Sequence, residues 1–176
     1  MNTLSAIAAL LFLLGAACSS AQQAAPKNEP EAARSTAQDS GQRMRDDAAS
    51  LAAKPEHKAT FVEVQHLLVS FAGTGTEAKR TKAEAENLAG ELYAKIADGA
   101  DIDALIKQHT DDSYPGIYGM VADKAEQDLE NNRFWRQGMV AAFGDTGWRL
   151  KVGEVGVALF NDKASPYGWH IIKRIK

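Results

Sequence analysis

The chain has a single cysteine, Cys18, so it cannot form an internal disulfide. It has no long run of lysine or arginine, and 20 basic against 23 acidic residues leave a formal net charge of −3. That balance does not favour nucleic acid as a partner. His, Cys and carboxylate residues do not occur at metal-ligand spacing, and there is no Gly-rich phosphate loop or nucleophile elbow. We therefore expect neither a metal site nor a cofactor.

Aromatic residues are scarce as well, at 7% of the 176 residues, and nearly all of them follow Phe61. A domain commonly has roughly 100–150 residues, so the length allows one domain and some additional chain. The core must lie where the aromatic residues are. We predict a folded domain over residues 60–176.

Residues 1–18 have the features of a targeting segment. Positions 4–17 are apolar or small apart from Ser5, a run too short to cross a bilayer, which takes about 20 residues, but suited to a signal peptide. Cys18 follows Gly-Ala-Ala, which resembles the lipobox of bacterial lipoproteins, where the cysteine is lipidated and becomes the mature N-terminus. Leu14 lies one place earlier than is usual, and no basic residue precedes the run. An ordinary secretory signal is the alternative.

Residues 19–59 are dominated by Ala, Gln, Glu, Ser, Lys and Pro and contain no aromatic residue. Such a composition buries too little apolar surface to offset the entropy lost on ordering. We predict a disordered linker, with a partial helix possible at 42–53, which would tether the domain to a membrane.

The remaining sequence predicts alternating strands and helices. Residues 61–71 are rich in β-branched and aromatic side chains and predict a strand. Thr81 and Glu84 have the spacing of a capping box before a helix that Gly99 ends, and Asp101 can cap the next helix. A helix is predicted at 135–143, with strands at 118–121, 152–155 and 168–175. This order predicts an α+β domain with a small antiparallel sheet.

Two histidines are the first candidates for chemistry. His66 lies mid-strand among apolar residues, and His170 begins the last predicted strand. Each histidine alone is more often a satisfied core residue than a catalyst, and the sequence around it does not decide between the two.

Six motifs, in order, resemble those of the parvulin-type prolyl isomerases. They are Gln65-His66-Leu67-Leu68-Val69, Arg80-Thr81-Lys82 before the first helix, Thr110-Asp111-Asp112-Ser113, Gly116-Ile117-Tyr118-Gly119, the Met139-x-x-x-Phe143 pair, and the closing segments Val152-Gly153-Glu154-Val155 and Ser165-Pro166-Tyr167-Gly168-Trp169-His170-Ile171-Ile172-Lys173. The resemblance covers residues 61–176. It implies a four-stranded antiparallel sheet surrounded by three to four helices.

The resemblance also implies a site and an activity. Tyr118, Met139 and Phe143 would line a proline pocket, while His66, Asp112, Ser165 and His170 would form the catalytic network. The implied activity is peptidyl-prolyl cis/trans isomerisation in exported polypeptides that contain X-Pro bonds. With the lipobox, it implies a monomer in the periplasm or cell envelope, held on a membrane through Cys18. A non-catalytic parvulin-like chaperone or binding module is the alternative, whereas a purely structural envelope lipoprotein would not need these residues.

Three departures from the family's pattern concern specificity. The loop 71–79 lacks the arginine cluster of phosphate-directed members, so phospho-Ser/Thr-Pro specificity is not expected. Tyr118 replaces the usual Leu and would narrow the pocket. The stretch 120–138 is longer than is common and would put Trp135 near the pocket mouth, as a lid or as packing.

Overall fold

The computed structural model describes residues 31–176, which form four α-helices and five strands. The helices are α1 (Glu31–Ala52), α2 (Lys82–Ala97), α3 (Ile102–His109) and α4 (Ala141–Arg149). The strands are β1 (Phe61–Val69), β2 (Ile117–Val121), β3 (Arg133–Trp135), β4 (Val155–Ala158) and β5 (Trp169–Arg174). The predicted signal peptide and Cys18 lie outside the described residues.

The strands form one sheet in the order β3-β2-β1-β5-β4. The α+β class is confirmed, but the sheet has five strands instead of the four expected, and it is mixed because β3 runs parallel to β2. The added strand comes from the long stretch 120–138, which has room to leave β2, make a 3₁₀ turn at Lys124–Glu126 and return in the same direction.

The alternation of side chains along the two central strands divides the core between the faces of the sheet. On one face Leu67, Val69, Trp169 and Ile171 pack against α1, α2 and α3. On the other face the even-numbered residues of β1 and β5 pack with α4, and they include His66 and His170. The candidate site therefore lies on the α4 face.

Local signals predicted the starts of α2 and α3. Thr81 accepts a hydrogen bond from the backbone N–H of Glu84 at 3.2 Å, and the Glu84 carboxylate accepts from the N–H of Thr81 at 2.7 Å. This is the predicted capping box. Asp101 caps α3 by accepting from the N–H of Asp103 at 3.0 Å.

Two predicted elements are wrong in position. The helix predicted at 135–143 begins only at Ala141, because β3 and a 3₁₀ turn at Arg136–Gly138 occupy its first half. Residues 152–154 form a turn, with Gly153 at a φ of 86°, and β4 starts at Val155. In both places apolar residues near a chain reversal resemble a regular element.

Residues 31–52 of the predicted linker form the helix α1, which includes most of the partial helix allowed at 42–53 but begins well before it. Met44 is fully buried in the core cluster beneath this helix, and Leu51 is buried against α4 and β5 residues. A Cβ on Gly90 would lie 2.8 Å from the backbone nitrogen of Gly41, so the absence of a side chain at Gly90 lets α2 approach the backbone of α1 closely. A few well-placed apolar residues therefore attach a largely polar helix to the domain.

In the described part of the chain, no helix combines the length and apolar character that crossing a membrane requires. The side chains of α1 are described from position 36 onward, and charged residues on its outer face pair with α2 and with the residue that follows α2. Arg43 contacts Asp98 at 2.9 Å and Arg45 contacts Glu86 at 2.7 Å.

If α1 belongs to the folded unit, Met44→Ala lowers the free energy of unfolding by about 2–5 kcal/mol, as for other buried Met-to-Ala changes. Gln38→Ala, at an exposed position of the same helix, is the matched control and changes it by less than about 0.5 kcal/mol. Urea unfolding followed by circular dichroism measures both. Equal stability of the two variants would show that α1 is a detachable linker.

Candidate active site

The two histidines meet because β1 and β5 are neighbours in the centre of the sheet. The antiparallel register places His170 opposite Leu68, so His66 and His170 are diagonal neighbours on one face. Their Nδ1 atoms are 3.4 Å apart, and the two side chains are only 2% and 5% exposed. The sheet thus buries a pair of imidazoles in direct contact.

Glycines allow the backbone around this pair to pack closely. Gly116 has a φ of 67°, and a Cβ there would collide with the carbonyl oxygen of His66. Gly168 has a φ of 140° and similarly abuts the backbone of Val69. Neither position accepts a larger residue without displacing a strand that carries a histidine.

His170 is neutral at physiological pH. Burial, and to a lesser degree the neighbouring His66, lowers its pKa to about 3, while the Asp112 carboxylate opposes this shift more weakly. Because the two Nδ1 atoms face each other, one of them must donate and the other accept. Within the described residues, the Nε2 of His170 has no hydrogen-bond partner.

Asp112 lies at the rim of the histidine pair, with its side chain 33% exposed. Its Oδ2 is 3.2 Å from His66 Nε2, although the approach is out of line for a hydrogen bond, and it accepts a hydrogen bond from the Tyr118 hydroxyl at 3.3 Å. Contact with His66 lowers the pKa of Asp112 to about 2, aided by the backbone N–H of Ser113. Asp112 is therefore a carboxylate, and its charge raises the pKa of Tyr118 beyond the effect of burial.

The loop that carries Asp112 is tied to the end of β1. The Thr110 hydroxyl accepts hydrogen bonds from the backbone N–H groups of Leu68 and Asp112, both at 3.2 Å. Asp111 accepts from the N–H of Ser70 at 2.8 Å and forms an ion pair with Arg80. These bonds hold the loop beside the strand and set Asp112 above His66.

An apolar cup adjoins the histidines on the α4 side. It consists of Tyr118 from β2, Phe134 from β3, Met139 and Phe143. Phe143 is buried, with its ring centroid 5.0 Å from that of His66, and the Tyr118 centroid lies 5.3 Å from His66 and 5.5 Å from Phe134. The cup is the wall of a cleft of about 590 Å³, whose floor includes both histidines.

A charged network holds the turn that presents Met139. Arg136 donates two hydrogen bonds to the Glu56 carboxylate, at 2.7 and 2.6 Å, and a third to Asp145 at 2.6 Å. Its guanidinium lies 4.7 Å from the ring centre of Trp148. Its backbone carbonyl accepts from the N–H of Met139 at 3.2 Å. The position of Met139 thus depends on Glu56, far away in sequence.

The structure brings together six of the seven site residues predicted in the domain. His66, His170, Asp112, Tyr118, Met139 and Phe143 all line the cleft. Ser165 was predicted to join the histidines but does not. Its hydroxyl donates a hydrogen bond to the Gly168 carbonyl at 2.9 Å, within the turn before β5.

The sequence did not predict Phe134 in the cleft lining and predicted its neighbour Trp135 near the pocket mouth instead. Phe134 lines the cleft, whereas its neighbour Trp135 does not and instead lies 5.2 Å beneath the Lys124 ammonium. Thr76, Glu77 and Tyr167 also line it. Successive side chains of a strand point to opposite faces, which would have distinguished Phe134 from Trp135, but β3 is too short for this pattern to be recognised in the sequence. Within the described residues, no group of three or more His, Cys, Asp and Glu could hold a metal ion.

The family model of the PpiC-type PPIase domain matches residues 49–175 of the chain. The chain belongs to this family of parvulin-type peptidyl-prolyl isomerase domains. Its matched range includes the end of α1 as well as every residue that lines the cleft.

Two individual proteins are similar to the chain. The chain is 30% identical over 129 residues to Chaperone SurA of Xylella fastidiosa (strain 9a5c), which covers 73% of this chain but only 24% of that protein. It thus spans about a quarter of the length of this relative. Among solved structures, peptidyl-prolyl isomerase ESS1 from Candida albicans matches with a TM-score of 0.45 and 18% identity, over 77% of this chain and 74% of that one.

The buried histidine makes this parvulin-type domain less stable in acid. An unfolded histidine takes up a proton near pH 6.5, but folded His170 does not until about pH 3, so the free energy of unfolding falls as the pH drops between these values. The slope for one such group is about 1.4 kcal/mol per pH unit. Asp112, with its lowered pKa, adds a loss in the same direction only below about pH 4.

Between pH 6 and 4.5, we therefore expect the free energy of unfolding of His170→Gln to fall less steeply with pH than that of the wild type, by the slope that one proton contributes. Urea unfolding at each pH measures it. His57→Gln, at an exposed position, is the control and retains the slope. An identical slope in wild type and His170→Gln would contradict a neutral His170 in the folded state.

Proposed function

We propose that this domain catalyses cis/trans isomerisation of X-Pro peptide bonds. The observation that carries the proposal is the contact between the apolar cup and the histidine pair, with the ionised Asp112 at the edge. The cup has the size and chemistry to hold a pyrrolidine ring, and the open rim leaves room for the chain on either side. Membership in the PpiC-type family supports the same activity.

The chemistry requires no bond to form or break. An X-Pro amide resists rotation because resonance gives its C–N bond double-bond character, with a barrier of about 18–20 kcal/mol. The enzyme has only to bind the twisted amide better than either planar form. An apolar cup removes water from the amide and so weakens the charge-separated resonance form, while the Asp112 carboxylate disfavours negative charge on a nearby carbonyl oxygen.

The histidines serve this proposed reaction by shape and hydrogen bonding. Neutral His170 carries no charge with which to act as a strong acid, and its ring lies 5.5 Å from Phe143 by centroids. His66 contacts Phe143, Tyr118 and Asp112 together. The pair therefore supports the cup from below and fixes the position of Asp112, without transferring protons.

Met139 provides the direct test because it lines the cleft from a turn and is only partly buried. We expect Met139→Ala to lower kcat/KM for an X-Pro peptide at least tenfold, since lost pocket groups cost roughly 10–200-fold each. Phe143→Leu should act similarly while keeping an apolar core residue. NMR exchange spectroscopy measures the rate.

The matched control is Val152→Ala, an apolar truncation at a 65% exposed position away from the cleft, which should keep wild-type activity. Uncatalysed isomerisation takes about 10–100 s, so acceleration is readily detected. A folded wild-type protein that leaves this rate unchanged would overturn the proposed activity.

The second candidate is a parvulin-like chaperone that binds unfolded chains without isomerising them. It is favoured by the similarity to a relative named as a chaperone. Under this function the cleft would bind proline-containing segments and suppress aggregation of a client, and Met139→Ala would weaken binding while the isomerisation rate stays at its uncatalysed value. The exchange experiment separates the two candidates.

We also propose that the domain acts on exported proteins in the periplasm or cell envelope, anchored through Cys18. The support is the apolar run at 4–17 and the small residues before Cys18, a pattern that resembles a lipobox. The 12 residues from Ser19 to Pro30 would then separate the anchor from α1.

Mass spectrometry of the mature protein from a bacterial membrane fraction tests this anchor. We expect an N-terminal peptide that begins at Cys18 and carries the added mass of acyl chains. Cys18→Ser should move the protein to the soluble fraction while leaving the domain folded. An unmodified cysteine, or a mature N-terminus at another residue, would remove the anchor.

A further inference from the structure

The cleft is acidic along its rim. Among the described residues 31–176, its lining contains three carboxylate residues, Glu77, Asp111 and Asp112, and no lysine or arginine. Both histidines are in the floor, where burial keeps His170 neutral. The charge that a bound peptide meets in the cleft is thus negative, in contrast to the arginine-lined entrance that would suit a phosphate.

The three carboxylates are not equivalent. The Asp111 carboxylate is already paired, because it forms an ion pair with the Arg80 guanidinium and accepts a hydrogen bond from the Ser70 N–H. Glu77 is exposed and has no ion pair or hydrogen bond to other described residues. Asp112 faces the cleft beside His66 and Tyr118. Two carboxylates, Glu77 and Asp112, therefore remain available to a ligand.

The cations at positions 79–82, which follow Glu77 in sequence, do not cancel this charge. Arg80 forms an ion pair with Asp111, and its guanidinium also donates a hydrogen bond to the Ser70 carbonyl at 2.8 Å. Lys79 is exposed on the same loop but does not line the cleft, and Lys82 lies over the Phe160 ring at 4.3 Å. Like charges facing one cleft without cations destabilise each other unless a cation binds between them.

The same cleft has independent marks of a ligand site. The apolar cup is open to solvent, and the Nε2 of His170 in the cleft floor is buried without a hydrogen-bond partner among the described residues. A proline ring in the cup would bring the residues next to it along the rim, where Asp112 and the Thr76–Glu77 loop both line the cleft near the end of β1.

We propose that this cleft selects proline-containing segments with a lysine or arginine next to the proline, and disfavours those with an acidic or phosphorylated residue there. The inference rests on the proposed function for the place of the proline ring, and it goes further by naming the substrate class. Glu77 and Asp112 are the specificity-determining carboxylates. The cation would bind between them at the open rim, where its ammonium or guanidinium can still contact water.

The test uses peptides of identical sequence except for the residue before proline, which is lysine, leucine, glutamate or phosphoserine. We expect kcat/KM to be on the order of tenfold higher for lysine than for glutamate, because exchanging attraction for repulsion at two partly exposed carboxylates has about this effect. Phosphoserine should be poorest. The preference should shrink at 0.5 M salt, since exposed charges are screened.

Variants of Glu77 assign the effect to the rim. Glu77→Gln should reduce the lysine-to-glutamate ratio about threefold, and Glu77→Lys should bring it to one or below. Glu91→Gln, at an exposed position of α2 away from the cleft, is the matched control and should leave the ratio unchanged. Equal rates for the lysine and glutamate peptides, or a ratio that Glu77→Lys does not alter, would overturn the inference.

Binding is measured alongside catalysis, from chemical-shift changes in the domain as each peptide is added. If the domain catalyses all peptides equally, the charge preference is wrong and the isomerase activity stands. If it catalyses none but binds the lysine peptide more tightly than the glutamate peptide, the preference stands and the isomerase activity is wrong. The two failures are thus distinguishable.

Discussion

The pairing of β1 with β5 is the constraint on which the rest of the site depends. It joins the beginning and the end of the domain in the middle of the sheet, so that residues 104 positions apart in sequence, His66 and His170, are in contact. Contacts this distant in sequence form only when the whole domain closes. Both walls of the cleft then follow, because β2 is hydrogen-bonded to β1 and the Thr110–Asp112 loop is tied to its end.

Burial and exposure divide the chemistry of this site between its floor and its rim. The floor is apolar or neutral: Phe143 is buried and His170 stays unprotonated because burial penalises its charged form. The rim carries the charge of Asp112, whose side chain is partly exposed to solvent. In the proposed reaction, a neutral floor would weaken the polar resonance form of a bound amide, and a charged rim would distinguish the side chains beside it. Under the proposed function, one small sheet face would thus provide both a general proline pocket and a means of selection.

The sequence predicted the parts of the fold that local physics determines. The cap of α2 at Thr81 and that of α3 at Asp101 depend on residues two or three positions away, and both form as expected. The start of α4 could not be read in this way. Met139 and Phe143 have helical spacing, but Met139 lies in a turn because Arg136 is held by Glu56, 80 positions earlier.

The helix α1 shows the same limit from the other side. Its composition is that of a solvated segment, and only the buried positions of Met44 and Leu51 show that it belongs to the core. Such information is tertiary, because the need for a glycine at position 90 arises only where α2 crosses the backbone of α1. Site residues were predicted more fully because the family's motifs record tertiary contacts in sequence form. Ser165 shows where that record misleads, since its hydroxyl satisfies a local carbonyl.

Asp111 and Asp112 show how environment assigns different roles to identical neighbours. Both lie in one loop at the end of β1, and successive residues there point to opposite sides. Asp111 points toward Arg80 and Ser70, where its charge is satisfied and its contribution is to hold the loop. Asp112 points over His66 into the cleft, where only part of its hydrogen-bonding capacity is used. Because the first carboxylate fixes the loop, the second can remain ionised and incompletely paired at a defined position, which is the condition a charge must meet to act on a bound peptide.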